Sequence, residues 1–124
     1  MPRLDIKIRE QDEVVVMSLS GSADMSEISR LNRQLEGLFV EGRKQVVLEL
    51  LGLEFASSMA LGAMIRTYTR CRERGGRLVL VGPQDALRQV LRTTRLDELF
   101  QFAETVEEGI VLAQQPPGEE ESGG

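Results

Sequence analysis

Apolar and polar residues alternate over residues 4–8, and a more continuous apolar run fills residues 14–19 after the polar stretch 10–13. Two such runs around a short polar turn predict an antiparallel pair of strands. Beyond Gly21 the period changes. Ile28, Leu31, Leu35, Leu38 and Phe39 recur at helical spacing behind Asp24 and Glu27, which are placed as in a capping box, and Gly42 ends the helix. Residues 46–50 are apolar almost throughout and bounded by turn signals, which suits an interior strand covered on both sides. Leu61, Met64, Ile65 and Tyr68 then mark a helix over about residues 58–73, stopped by Gly75-Gly76, and residues 77–81 return to strand.

After that crossover unit, Pro83 fits the first turn of a helix that turns Ala86, Leu87, Val90 and Leu91 inward. Residues 99–102 read as a last short strand or an extended apolar segment. Thr105 with Glu108 repeats the capping-box spacing ahead of a final helix with Val106, Ile110 and Val111 on its buried side. The alternation predicts one α/β domain over residues 1–113, its sheet mixed and mostly parallel, with four to five strands and about four helices. Residues 114–124, rich in Gln, Pro, Gly and Glu, offer no apolar face and are predicted to be a disordered tail.

One junction stands out. The strand over residues 46–50 leads into Leu53-Glu54-Phe55-Ala56-Ser57-Ser58-Met59-Ala60-Leu61-Gly62, so two hydroxyls sit where a helix begins at the carboxyl end of a central strand. The first N–H groups of a helix lack intrahelical partners and its dipole is positive there. Ser57 or Ser58 is therefore a natural N-cap, and a phosphate on either is favoured. Sheets of this class tend to place their sites at that end.

Composition narrows the chemistry. The chain has no histidine and one cysteine, which leaves no imidazole base, no intramolecular disulfide and no Cys/His metal cluster. Cys71 shares the helical series of Leu61, Met64 and Tyr68, and is expected to be a buried thiol. No Gly-x-Ser-x-Gly elbow surrounds the serines, and no P-loop, dinucleotide fingerprint or acidic metal cluster is present, so we expect neither catalysis nor a bound cofactor or metal. Asp24 and Glu54 are the carboxylates that folding could bring beside the serines. No apolar run approaches the roughly 18–20 residues of a membrane span, and the first ten residues lack the apolar core of a signal peptide. A cytoplasmic protein without membrane insertion is expected.

The net charge of −5 is segregated: residues 66–95 carry eight basic and two acidic side chains, residues 96–124 none and eight. Arg66, Arg70 and Arg74 fall four apart on one helix face, and Arg88, Arg92 and Arg95 nearly so on the next. Such stripes form solvated faces or dock acidic partners. An acidic chain without interleaved aromatics is not expected to bind nucleic acid.

The serine segment resembles the phosphorylation-site segment of STAS domains, in particular the bacterial anti-sigma factor antagonists. Leu19-Ser20-Gly21-Ser22-Ala23-Asp24 is similar to the family's Gly-x-x-Asp turn, Gly75-Gly76-Arg77-Leu78-Val79-Leu80-Val81 to its next strand, and Leu96-Asp97-Glu98-Leu99-Phe100 to its closing turn. The resemblance spans about residues 4–112 and implies the STAS fold. By position, Ser58 matches the serine phosphorylated in the family. Ser57 stands where the family has an aspartate, Met59 where it has Ser or Thr, and Ala60 where it has Gly; Met59 either enlarges an apolar contact surface or obstructs a kinase.

The resemblance implies a partner-switching module without turnover of its own. Unphosphorylated, it would bind an anti-sigma factor that is also a serine kinase, with ATP held by that partner, and so free a sigma factor. Phosphorylation of Ser58, or less favourably Ser57, would release the kinase, and a serine phosphatase of the metal-dependent class would reset the module. Asp24, Ser57, Ser58, Met59 and Arg66 are the expected contact surface. Alternatives are a STAS adaptor subunit of a transporter, a stressosome-like scaffold, or direct nucleotide binding. The sequence leaves the oligomeric state open.

Overall fold

A computed structural model describes residues 3–116; the predicted tail from residue 117 onward lies outside the described residues. Five strands pair in sequence order: β1 (Leu4–Gln11), β2 (Val14–Ala23), β3 (Gln45–Ala56), β4 (Arg77–Val81) and β5 (Gln101–Ala103). β1 runs antiparallel to β2, and the remaining pairs are parallel. Asp12 and Glu13 join β1 to β2 with φ of 53° and 68°, the left-handed pair whose twist matches a two-residue hairpin. Four α-helices complete the domain: α1 (Ile28–Val40), α2 (Ser58–Glu73), α3 (Asp85–Thr93) and α4 (Val106–Ala113). The α/β class, the mixed mostly parallel sheet and the helix count agree with the sequence pattern.

The sheet divides two cores. On one face Met17, Leu19, Leu48, Leu50, Leu53, Leu78 and Leu80 pack against α1, α2 and α3 through Leu31, Leu35, Met64 and Leu91. On the other, Val14, Val16, Val47, Val79 and Val81 meet Ile110 and Ala113 of α4. β4 is buried at every position, which is why its sequence reads apolar without alternation. Cys71 is fully buried in the first core, and burial pushes its thiol up to about 12, so it is a packing residue as expected.

Several local expectations need correction. β3 extends to Ala56, well past residue 50, because β2 continues beside it: Ser20, Gly21, Ser22 and Ala23 pair with Gly52, Leu53, Phe55 and Ala56 across two irregularities in register. Leu99 and Phe100 precede the last strand, which occupies Gln101–Ala103. Pro83 lies before the N-cap Gln84 instead of in the first turn of α3. Ala86 and Val90 face solvent while Leu87 and Leu91 are buried, since one edge of α3 alone meets the sheet. Val111 is likewise exposed, as Gly109, Ile110 and Ala113 make the contact. As its spacing predicts, Thr105 caps α4 by accepting from the Glu108 N–H at 3.1 Å, and the Glu108 carboxylate reaches back to the Glu104 N–H at 3.2 Å. Gln114, placed in the tail by composition, follows α4 as its C-cap and donates to the Asp12 carbonyl at 3.1 Å.

The first arginine stripe turns out to be a seam between helices. Arg66 donates to Asn32 Oδ1 at 3.1 Å, Arg70 pairs with Glu36 and lies 4.6 Å from the Phe39 ring centroid, and Arg74 donates to the Phe39 carbonyl at 2.6 Å. Guanidinium planes over an aromatic face use the same side chains for packing and charge. On α3, Arg88 donates to the Pro83 carbonyl at 3.0 Å.

The end of α2 shows how closely the chain is fitted. Gly75 is left-handed at φ 79° and donates to the Arg72 carbonyl at 3.0 Å, while Gly76 donates to the Cys71 carbonyl at 2.8 Å. This is a Schellman closure. A Cβ on Gly76 would sit 2.0 Å from the Lys44 carbonyl oxygen, backbone that cannot yield, because Arg77 donates to that same carbonyl. Gly76→Ala is therefore expected to lose about 2–3 kcal/mol of stability in urea unfolding. Gly37→Ala, in open space on α1, should instead gain up to about 1 kcal/mol.

Candidate functional site

The junction after β3 forms because two backbone groups are claimed at once. The Ser57 N–H donates to the Ala23 carbonyl at 2.9 Å, continuing the β2–β3 pairing by one residue, while the Ser57 carbonyl accepts from Leu61 N–H at 3.0 Å as α2 begins. Ser57 is extended, at φ −68° and ψ 167°, and its Oγ accepts from the Ala60 N–H at 3.2 Å. It is the N-cap. At 8% exposure its hydroxyl is engaged and largely covered. Ser58, the first residue of α2, is exposed. The structure thus gives to Ser57 the capping role that the sequence leaves open between the two serines.

Around Ser58 the surface is unusually apolar for exposed residues. Phe55 and Met59 flank the serine pair in sequence and are about half exposed, and Met25, brought across by β2, is 64% exposed. Asp24, Met25, Ser26, Phe55 and Ser57 line one open cleft together with Arg3.

Asp24 does not close a capping box with Glu27. Its Oδ1 accepts from the Ser26 N–H at 3.0 Å and the Ser26 hydroxyl at 2.6 Å, capping a short 3-10 turn, Met25–Glu27, ahead of α1. Glu27 turns away to Arg30 at 2.7 Å. The Ser26 hydroxyl is the main influence holding the Asp24 carboxyl below the ordinary carboxylate range; partial burial opposes it, and Arg3 adds to it. A depressed folded value means that this link is intact above the unfolded range and is lost as pH falls through the folded value, below roughly pH 4.

Arg3 was not among the residues singled out from the sequence. Its Nε donates to Ser26 Oγ at 3.2 Å and lies 3.6 Å from Asp24 Oδ2 and 3.7 Å from Glu27 Oε2. Only the β1–β2 register, which sets Leu4 opposite Gly21, brings it there. Gly21 is itself required, at φ 93°, because a Cβ would meet the Arg3 carbonyl oxygen at 2.2 Å. Of the other expected residues, Met59 and Ser58 stand at the start of α2, Arg66 is engaged with Asn32 at the α1–α2 seam, and Glu54 is exposed and does not line the cleft.

Among the described residues no group of three or more Cys, Asp or Glu is placed to hold a metal ion. Among the same residues no helix is long and apolar enough to cross a membrane. What the geometry offers is an exposed serine at a helix start, next in sequence to the exposed Met59 and following the exposed Phe55.

A sequence model of the STAS domain matches residues 5–109. The chain belongs to the STAS domain family. STAS-domain antagonists are regulatory, non-catalytic modules. Among solved structures the chain is similar to an anti-sigma factor antagonist from Mycobacterium paratuberculosis, with 22% identity, a TM-score of 0.81 and coverage of 90% of this chain and 95% of that one. It is also similar to a putative anti-sigma factor antagonist from Thermotoga maritima, at 20% identity and TM-score 0.83, covering 89% and 95%. The Bacillus cell fate determinant SpoIIAA in its phosphorylated form matches at 20% identity and TM-score 0.71, covering 89% of this chain and all of that one.

The division of labour between the serines has a direct consequence. Ser57→Ala removes a helix cap and is expected to cost about 1 kcal/mol in chemical unfolding. Ser58→Ala, at an exposed position outside the cap, should stay within about 0.5 kcal/mol of wild type.

Proposed function

We propose that this STAS domain is an anti-sigma factor antagonist that works as a partner switch controlled by phosphorylation of Ser58. The observation that carries the reading is the exposed Ser58 hydroxyl at the first position of α2, beside a Ser57 hydroxyl already committed to the Ala60 N–H. A kinase therefore has one free acceptor in this segment. Unmodified, the apolar surface formed by Met25, Phe55 and Met59 docks an anti-sigma factor serine kinase that holds its own ATP, and the sigma factor is freed.

Phosphorylation brings about −1.5 to −2 charges to that surface. The helix N-terminus tolerates the anion within the domain, but a partner packed over Met25, Phe55 and Met59 has to take it out of water. Binding is lost and the fold is kept. A serine phosphatase of the metal-dependent class reverses the change. In this reading Asp24 shapes the facing turn through Ser26, Arg66 lies at the margin of the contact, and the protein acts in the cytoplasm.

The test is a kinase partner captured with unmodified protein. Ser58→Asp should weaken its affinity tenfold or more, about 1.4 kcal/mol, and leave the unfolding midpoint near that of wild type, while Ser58→Ala binds as wild type does. Equal affinity for wild type and Ser58→Asp, joined with an absence of phosphate on Ser58 in intact-mass analysis from the native host, would falsify the switch.

A further inference from the structure

We infer that Arg3 is the internal receptor for a phosphate on Ser58, drawn from the Asp24–Ser26 turn across the cleft to the modified serine. The inference rests on Ser58 as the modified residue and adds what the domain itself does once modified. Arg3 is the cation among the residues lining the cleft that also holds Phe55 and Ser57. Its Nε donates to Ser26 and lies nearest to Asp24 and Glu27, and its two terminal nitrogens donate to no group among the described residues. A planar guanidinium with that outer edge unused is shaped for two oxygens of one phosphate.

Position supports the same pairing. The Ser57 N–H to Ala23 carbonyl bond fixes the start of α2 against the residue that precedes Asp24, so Ser58, which follows β3, and Arg3, which precedes β1, are held at the same end of the sheet with β2 between them. The main chain at Arg3 is anchored, because its carbonyl accepts from the Ser22 N–H, whereas its side chain is 58% exposed and can pivot. Glu27 keeps a partner when Arg3 leaves, through Arg30 at 2.7 Å, and Asp24 keeps both bonds to Ser26. The departure strands no charge.

The consequence is that phosphorylation acts by cover as well as by charge. A guanidinium bridged to phosphoserine lies over the cleft between Met25 and Phe55, and removes apolar surface from the partner's reach. The altered side chain is local, so the sheet and helices stay as they are.

The experiment uses full-length protein with phosphoserine installed at position 58 by genetic encoding, and follows the phosphate by phosphorus NMR through its second ionisation. In wild type the midpoint should lie about half a unit or more below that of Arg3→Gln, with Arg3→Lys between them; the α2 N-terminus is common to all three and cancels. Side-chain nitrogen resonances of Arg3 in the otherwise unaltered chain should also move when the phosphate is present, a readout that holds even where Arg3→Gln perturbs folding. Superimposable titrations for wild type and Arg3→Gln, or Arg3 resonances indifferent to the phosphate, overturn the pairing. Because no kinase is involved, a host that never modifies Ser58 counts against the proposed switch alone and leaves this result standing.

Discussion

Everything at the candidate site depends on one backbone hydrogen bond, from the Ser57 N–H to the Ala23 carbonyl. It is the last link of the β2–β3 ladder and is made by the residue that also caps α2. A parallel ladder ordinarily ends with unpaired donors, and a helix ordinarily begins with them. Here one serine closes both with its amide and its hydroxyl. The start of α2 is thereby fixed relative to the turn that carries Asp24, Met25 and Ser26, and a side chain one residue further on stands clear of the protein in a defined direction.

That economy explains which parts of the molecule were legible in the sequence. Strands and helices with a strong period were readable, because burial of Leu48, Leu50, Leu78 and Leu80 on one side and Val47, Val79 and Val81 on the other leaves few alternatives. The length of β3 was not. Gly52 and Glu54 are poor strand residues, and the segment is extended because β2 runs alongside it through two irregularities, which is tertiary information. The inward faces of α3 and α4 were overcounted for a related reason: periodicity marks apolar positions, but only Leu87 and Leu91, and only Ile110 with Gly109 and Ala113, have something to pack on.

The site was legible in part. Asp24, Ser57, Ser58 and Met59 could be named from spacing and resemblance, yet which serine caps and which is free is a matter of one hydroxyl reaching one amide. Arg3 lay beyond reach. It precedes the first strand as an ordinary exposed arginine, and becomes part of the cleft only through a register spanning some twenty residues. The arginines of α2 illustrate the converse. Their regular spacing suits a solvated face or a docking surface, whereas Phe39, Asn32 and Glu36 of the neighbouring helix take them up.

The covering of the second sheet face bears on how the protein is made. The strands pair strictly with their sequence neighbours, so a chain emerging from the ribosome can add each to the last without waiting for distant partners. The face bearing Val14, Val16, Val47, Val79 and Val81 is different: its cover is α4, eight residues that leave the exit tunnel about a hundred residues after β1. Until then the nascent sheet presents a valine surface with nothing upon it. Stalling or truncation before Val106 leaves a nearly complete but sticky domain, the kind of species that chaperones and proteases take first.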